Sequence, residues 1–182
     1  MVDLLQRALG VEIPNTPVFA IALAIHVLAG LTCVVSGALA ATAKKRPGRH
    51  PKAGTVYYRA MTVVFLTATV MATIRWSQDA YLFFLAVVAF GSATLGREAR
   101  HRRWRNWPYV HIPGMAMSYV TLLTAFYVDN GPHLPLYNRL PTIVFWVVPS
   151  LIGVPLIVRA LRSRQTYALT ALSRREPRVA AR

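Results

Sequence analysis

The chain has 182 residues, of which 55% are hydrophobic and only 15% are charged, and its mean hydropathy is +0.41. This composition is too apolar for an ordinary soluble domain and is typical of a membrane protein. The net charge of +15 would suggest nucleic-acid binding in a soluble chain, but the charges lie between apolar segments, which argues against that class. The single cysteine, Cys33, excludes an intramolecular disulfide framework and a cysteine-based zinc site.

The chain starts with a short segment that precedes the first apolar run. Asp3, Arg7 and Glu12 lie in this segment, which lacks the basic start and the immediate apolar core of a cleavable signal peptide. We therefore expect residues 1–16 to lie along the membrane surface, with the first apolar run acting as its own insertion signal.

Five apolar windows follow one another along the chain. A membrane-spanning helix needs about 20 largely apolar residues, and five windows reach or approach that length. They are residues 17–42, 53–75, 80–96, 108–128 and 140–160. The sequence therefore predicts an all-α integral membrane protein, a bundle of five transmembrane helices over residues 17–161. A basic tail over residues 162–182 completes the chain.

The basic residues are distributed unevenly between the two ends of the predicted helices. Residues 44–52, residues 97–105 and the chain from Arg159 onward hold five, five and seven of the 21 lysines and arginines, all at the same end. The positive-inside rule then predicts an N-terminus outside and a C-terminus in the cytoplasm. Anionic lipid headgroups are the expected partner of this charge, and no nucleic acid is expected. The predicted location is the bacterial cytoplasmic (inner) membrane.

His26 lies within the first apolar run, on a helical stripe of small residues. The other members of the stripe are Gly30, Cys33, Gly37 and Ala41. Because small residues let helices approach closely in a membrane, we expect His26 to lie on a packed face. An ionisable side chain at that depth is a candidate functional residue. The alternative is a hydrogen bond to a serine or threonine of a neighbouring helix.

Two further charged residues could act together with His26. Arg59 lies a turn or so inside the second span, and Asp129 lies at the outer end of the fourth. The three residues would suit a small transporter or proton-coupled channel. Since five spans give no inverted repeat, such a transporter would have to be a dimer.

His50 and His111 are expected at the same depth, at the cytoplasmic starts of the second and fourth spans. Two neutral imidazoles that face each other from different helices can bind the iron of a haem. Tyr57, Tyr58 and Met115 would supply the apolar wall, and the spacing of His111 and Met115 also suits a soft metal ion. Basic neighbours suited to the haem propionates are Lys44, Lys45, Arg46, Arg49 and Lys52. The alternative is that each histidine only caps a helix or hydrogen-bonds at the interface.

The same stretches resemble a family of uncharacterised bacterial multi-pass membrane proteins that share a domain of unknown function. The resemblance rests on His26 with its glycine stripe, on RHPKAGTVYYRAM (49–61), and on HIPGMAMSYVTLLTAFYVDN, LPLYNRLP and WVVPSLIGVPL within 111–156. It covers most of the membrane region and implies no established activity. A weaker likeness is to transmembrane b-type cytochromes, in which histidines on alternating helices bind haem. That likeness implies at most one haem b here, on His50 and His111, because the third and fifth spans contain no histidine.

Two main hypotheses of function follow from these patterns. The first is a small electron-transfer protein with one bis-histidine haem near the cytoplasmic face. The second is a non-enzymatic accessory or structural subunit, which would pack against a membrane-protein partner or a second copy of itself. The sequence shows no Ser–His–Asp order, no paired carboxylates and no HExxH motif, so we do not expect a stand-alone enzyme.

Overall fold

Five helices form the part of the protein that the computed structural model describes, which is residues 16–43, 48–131 and 140–173, with side chains to residue 162. The helices are α1 (Pro17–Thr42), α2 (Arg49–Ile74), α3 (Trp76–His101), α4 (Trp107–Asn130) and α5 (Thr142–Ser173). No strand occurs in these residues, and the predicted all-α class is confirmed. The surface segment expected before Thr16, the basic residues 44–47 and the end of the tail from residue 174 lie outside the described residues.

Four of the helices are long and apolar enough to cross a membrane. They are α1, α2, α3 and the first part of α5, Thr142–Arg162. By length and composition the protein is therefore a membrane protein, as predicted. Helix α4, which has 24 residues and carries His111, Asp129 and two prolines, is not among these four. It lies between α3 and α5 and also touches α1, so that several of its sides face protein.

The first four helices form two helical hairpins. Helix α1 packs most extensively on α2, and α3 packs most extensively on α4. Short connections, residues 43–48 and 102–106, make the helices of each hairpin antiparallel neighbours. A smaller contact between α2 and α3 joins the two hairpins, and α5 packs on α4. Phe145 and Gly153 are buried on the face of α5 that meets α4, where Gly153 lies directly against Val120.

Small and polar residues fill the interior, whereas large aliphatic residues cover the outside. The buried set is dominated by alanines together with Ser36, Thr67, Ser118, Thr121 and Thr124. On α1 most exposed aliphatic residues recur every three or four positions, with Val27 exposed in addition: Val18, Ile21, Ile25, Leu28, Leu31, Val35 and Leu39. An apolar exterior of this extent suits contact with lipid chains, and small buried residues allow the close helix packing that membranes favour.

Two glycines bring α3 and α4 into backbone contact. A Cβ atom on Gly114 would lie 3.0 Å from the Cα of Gly96 and 2.9 Å from the carbonyl oxygen of Ser92. A Cβ atom on Gly96 would lie 3.0 Å from the backbone nitrogen of Met115. The contact therefore depends on the absence of side chains, and it sets the first turns of α4 directly against the last turns of α3.

The small-residue stripe of α1 packs only in part. Cys33 is fully buried, and Gly37 faces the rings of Tyr119 and Tyr57. A Cβ atom on Gly30, in contrast, would meet nothing within 4 Å. The Tyr119 hydroxyl donates a hydrogen bond to the Val34 carbonyl at 3.0 Å, which ties α4 to α1 beside Gly37.

Candidate functional site

His50 and His111 lie next to each other at one end of the bundle. Their ring centres are 6.5 Å apart and their ring planes are nearly perpendicular, at 85°. His50 belongs to α2 in the first hairpin, and His111 belongs to α4 in the second. Both side chains are half-buried. The fold therefore brings together two imidazoles that are 61 positions apart in the chain.

Each of the two rings is fixed by a backbone carbonyl of its own hairpin. The Nδ1 atom of His50 lies 2.8 Å from the Ala40 carbonyl oxygen of α1, and the Nδ1 atom of His111 lies 2.8 Å from the Gly96 carbonyl oxygen of α3. Because a carbonyl oxygen can only accept, each Nδ1 carries the proton and donates. A ring nitrogen that donates to a backbone carbonyl is the arrangement that orients metal-binding histidines.

An aromatic ring and an arginine extend the site toward the end of the bundle. The Trp107 ring centre is 5.8 Å from that of His111, and the Arg100 guanidinium lies 4.9 Å from the Trp107 ring centre. Neither residue was among those expected at the site from the sequence. Their positions in the sequence could have pointed to them, because Arg100 lies one turn beyond Gly96 and Trp107 lies one turn before His111. The Arg100 guanidinium, in the last turn of α3, thus makes a cation–π contact with the Trp107 indole.

A second polar pair lies deeper in the interior. The Tyr57 hydroxyl and the Ser118 hydroxyl are 2.8 Å apart, and these residues are 2% and 0% exposed. Tyr57 follows His50 by seven positions and Ser118 follows His111 by seven, so this pair lies about 10 Å below the histidines. The hydrogen bond ties α2 to α4 and closes the interior below the histidine pair. In the sequence, the equal spacing of seven residues from each histidine is what indicates that Tyr57 and Ser118 lie at the same depth.

The other residues expected around the histidines take up separate positions. Met115 packs beside Gly96 and borders the core. Tyr58 stacks on Phe90 of α3, and the Arg97 guanidinium lies 4.6 Å from the centre of the Tyr58 ring. Of the basic residues proposed for the haem propionates, Arg49 and Lys52 are exposed in the first turn of α2, and Lys44, Lys45 and Arg46 lie outside the described residues. Lys52 is two positions from His50, so the two side chains leave α2 on different sides.

His26 forms a hydrogen bond between α1 and α2. Its Nδ1 atom lies 2.9 Å from the Thr67 hydroxyl oxygen, and the Thr67 hydroxyl is itself 2.8 Å from the Val63 carbonyl. Since the one hydroxyl proton goes to that carbonyl, the imidazole N–H donates to Thr67. Thr62 and Thr69 of α2 instead donate to carbonyls of their own helix. The contact with His26 across the interface is thus made by Thr67.

The other two members of the proposed transport set lie on different parts of the bundle from His26. Arg59 is exposed on α2, and Asp129 is exposed in the last turn of α4. Asn130 donates a hydrogen bond to the Asp129 carboxylate at 3.3 Å. No hydrogen bond or ion pair within 4.0 Å joins His26 to Arg59 or Asp129, all three of which are described.

Replacing Thr67 with valine tests how much the His26 hydrogen bond stabilises the bundle. We expect a loss of about 0.6 kcal/mol and no more than about 1.7 kcal/mol, which are the average and the largest value found for hydrogen bonds between helices in a membrane. Thr69→Val is the matched control, because the Thr69 hydroxyl bonds only the Phe65 carbonyl of its own helix among the contacts that the structure gives. The free energy of unfolding in mixed micelles measures both effects. Equal losses for the two variants would contradict a stabilising role for the His26 contact.

Comparisons of the chain with protein-family models, with curated proteins and with solved structures give no match. Within residues 16–43, 48–131 and 140–173, no group of three or more histidine, cysteine, aspartate or glutamate side chains is placed to hold a metal ion. The two histidines and their carbonyl partners are therefore the features from which a function can be proposed.

Proposed function

We propose that the protein binds one b-type haem between His50 and His111 and carries single electrons in the bacterial inner membrane. The observation that carries this proposal is the histidine pair, in which two rings from different hairpins lie 6.5 Å apart with both Nδ1 atoms donating to carbonyls. Histidine imidazoles are among the protein groups that hold haem iron, and His50 and His111 would hold the haem from the two hairpins.

The separation of the two rings, 6.5 Å between their centres, is short enough for one bound group to contact both. With Nδ1 bonded to the Ala40 and Gly96 carbonyls, Nε2 would be the atom that binds the iron in both rings.

Space beside the pair is consistent with a flat cofactor at this end of the bundle. Gly54 lies one turn below His50, and a Cβ atom there would meet nothing within 4 Å. The Tyr57–Ser118 pair closes the interior about 10 Å below the histidines. Arg100 of α3 supplies positive charge near the pair, through its contact with Trp107, which neighbours His111. When bound, haem b would supply one-electron redox chemistry, and these residues would bind it and exclude water from it.

The proposal includes five transmembrane helices with the N-terminus outside and the C-terminus in the cytoplasm. Helix α4 supports a fifth span because its 24 residues extend about 36 Å and it packs between α3 and α5. Its polar residues are compatible with a membrane where other helices surround them. Arg49 and Lys52 at the start of α2 and five arginines between residues 97 and 105 support a cytoplasmic location for that end. The haem site would then face the cytoplasm.

An absorption spectrum of the detergent-purified protein tests the haem proposal directly. We expect an α-band after reduction with dithionite and about one haem per chain. The measurement is the difference spectrum of the reduced and oxidised protein, together with a haem-to-protein ratio. A folded but colourless protein, purified from cells with ample haem, would contradict the proposal. If a membrane protein co-purified with that colourless chain, the function as an accessory subunit would be favoured instead.

A further inference from the structure

An open apolar groove runs between α1 and α2 on the outer surface of the bundle. Leu31, Val35 and Leu39 of α1 form one wall, and Ala53 and Val56 of α2 form the other. Its volume is about 430 Å³.

The hydroxyl groups along the groove are already used within α1. Thr32 donates to the Leu28 carbonyl at 2.8 Å, and Ser36 donates to the Thr32 carbonyl. A hydroxyl whose proton is bonded to its own helix presents little polarity to a neighbour. The groove therefore suits a hydrocarbon chain.

Two cations lie directly above the α2 wall of the groove. Arg49 precedes Ala53 by four positions and Val56 by seven, and Lys52 precedes Val56 by four. Residues three, four and seven positions apart share a face of a helix, so these side chains form one line along α2. Arg49 and Lys52 are both exposed. A ligand with an apolar tail in the groove would thus have its polar head at two positive charges.

We propose that this groove is a specific site for one anionic diacyl phospholipid, with an acyl chain between α1 and α2 and the phosphate bound by Arg49 and Lys52. Arginine and lysine are the usual partners of phosphate, and the first turn of a helix adds favourable backbone dipoles. The assignment gives Arg49 and Lys52 a role that does not require haem. It also explains why an aliphatic groove lies next to the basic first turn of α2.

Native mass spectrometry of the full chain, titrated with phosphatidylglycerol or phosphatidylcholine in detergent, tests this site. We expect one tightly retained phosphatidylglycerol and at least about tenfold weaker retention of phosphatidylcholine, since each basic residue near an anionic headgroup contributes several-fold to binding. The double variant Arg49→Gln with Lys52→Gln should lose about tenfold or more in affinity for phosphatidylglycerol. The conservative pair Arg49→Lys with Lys52→Arg should retain the affinity.

Matched variants separate the site from general surface charge. Arg103→Gln with Arg105→Gln removes two exposed arginines at the same end of the bundle and should change the affinity less than about twofold. Ala53→Phe fills the groove without removing charge and should weaken phosphatidylglycerol binding, while the melting temperature reports that the bundle is folded. Equal losses in both glutamine pairs, or full binding by a folded Ala53→Phe variant, would overturn the proposal. A change of oligomeric state in Ala53→Phe with unchanged lipid affinity would assign the groove to a second copy instead.

Discussion

Replacing either His50 or His111 with alanine is expected to lower haem occupancy by about tenfold or more, because one axial ligand is then lost. The α-band of the reduced protein should disappear in parallel with the bound haem. His26→Ala is the matched control, since it removes a histidine whose ring bonds Thr67 on another part of α2. The haem-to-protein ratio after purification measures all three variants. Equal haem content in the unaltered protein and in the His50 and His111 variants would contradict ligation by this pair.

Methionine at the same positions distinguishes ligation from a structural role. A thioether can replace imidazole on haem iron and raises the reduction potential, whereas it cannot donate to the Ala40 or Gly96 carbonyl. We therefore expect His111→Met to retain more haem than His111→Ala and to have a higher midpoint potential. A potentiometric titration followed at the α-band measures this shift. An unchanged potential in a haem-containing His111→Met variant would indicate that His111 is not a ligand.

Replacing Gly114 with alanine is expected to destabilise the protein by about 1–3 kcal/mol, which is the usual cost of adding a methyl group to a tightly packed contact. The new Cβ would lie 2.9 Å from the Ser92 carbonyl oxygen and 3.0 Å from the Gly96 Cα. Both neighbours are backbone atoms, so relief requires α3 and α4 to separate. The free energy of unfolding in mixed micelles measures the loss.

Gly91→Ala is the control for this substitution. Gly91 lies on α3, and a Cβ atom there would meet nothing within 4 Å. Alanine at such a helical position should stabilise by about 0.5–1 kcal/mol, because it loses less backbone freedom on folding. Gly114→Ala should also lengthen the hydrogen bond from His111 to Gly96 and so lower haem occupancy, whereas Gly91→Ala should not. A Gly114→Ala variant as stable as Gly91→Ala would show that the helix contact is looser than the structure indicates.

The helical class and most of the helix positions could be predicted from hydropathy alone. Helix α1 begins at Pro17 and ends at Thr42, as its apolar window indicates. The windows for α2 and α3 underestimated those helices, because Arg49 to Lys52 and Arg97 to His101 continue the helices as polar turns beyond the apolar core. Hydropathy measures transfer into lipid, whereas a helix can extend into the headgroup region with charged residues.

The histidine pair was predicted from depth along the chain, but its hydrogen-bond partners were not. Depth follows from counting residues inward from the membrane interface, and this count places His50 and His111 at one level. The Ala40 and Gly96 carbonyls could not be predicted as the partners of the histidines. Every residue carries a carbonyl, and only the way the helices cross decides which carbonyl a histidine ring reaches. The backbone contact at Gly96 and Gly114 makes that selection for α3 and α4. A single sequence does not say which of several glycines lies at a crossing, and Gly30, Gly54 and Gly91 face open space.

The carbonyls of Ala40 and Gly96, which hold the two histidines, bear on the order in which the bundle can assemble. His50 is held by Ala40 within the α1–α2 hairpin, and His111 is held by Gly96 within the α3–α4 hairpin. Each hairpin can therefore orient its own imidazole as soon as its two helices have inserted and paired, before the halves meet. A metal centre bound by both rings would then join two preformed halves, and by mass action it would stabilise their association rather than the hairpins themselves.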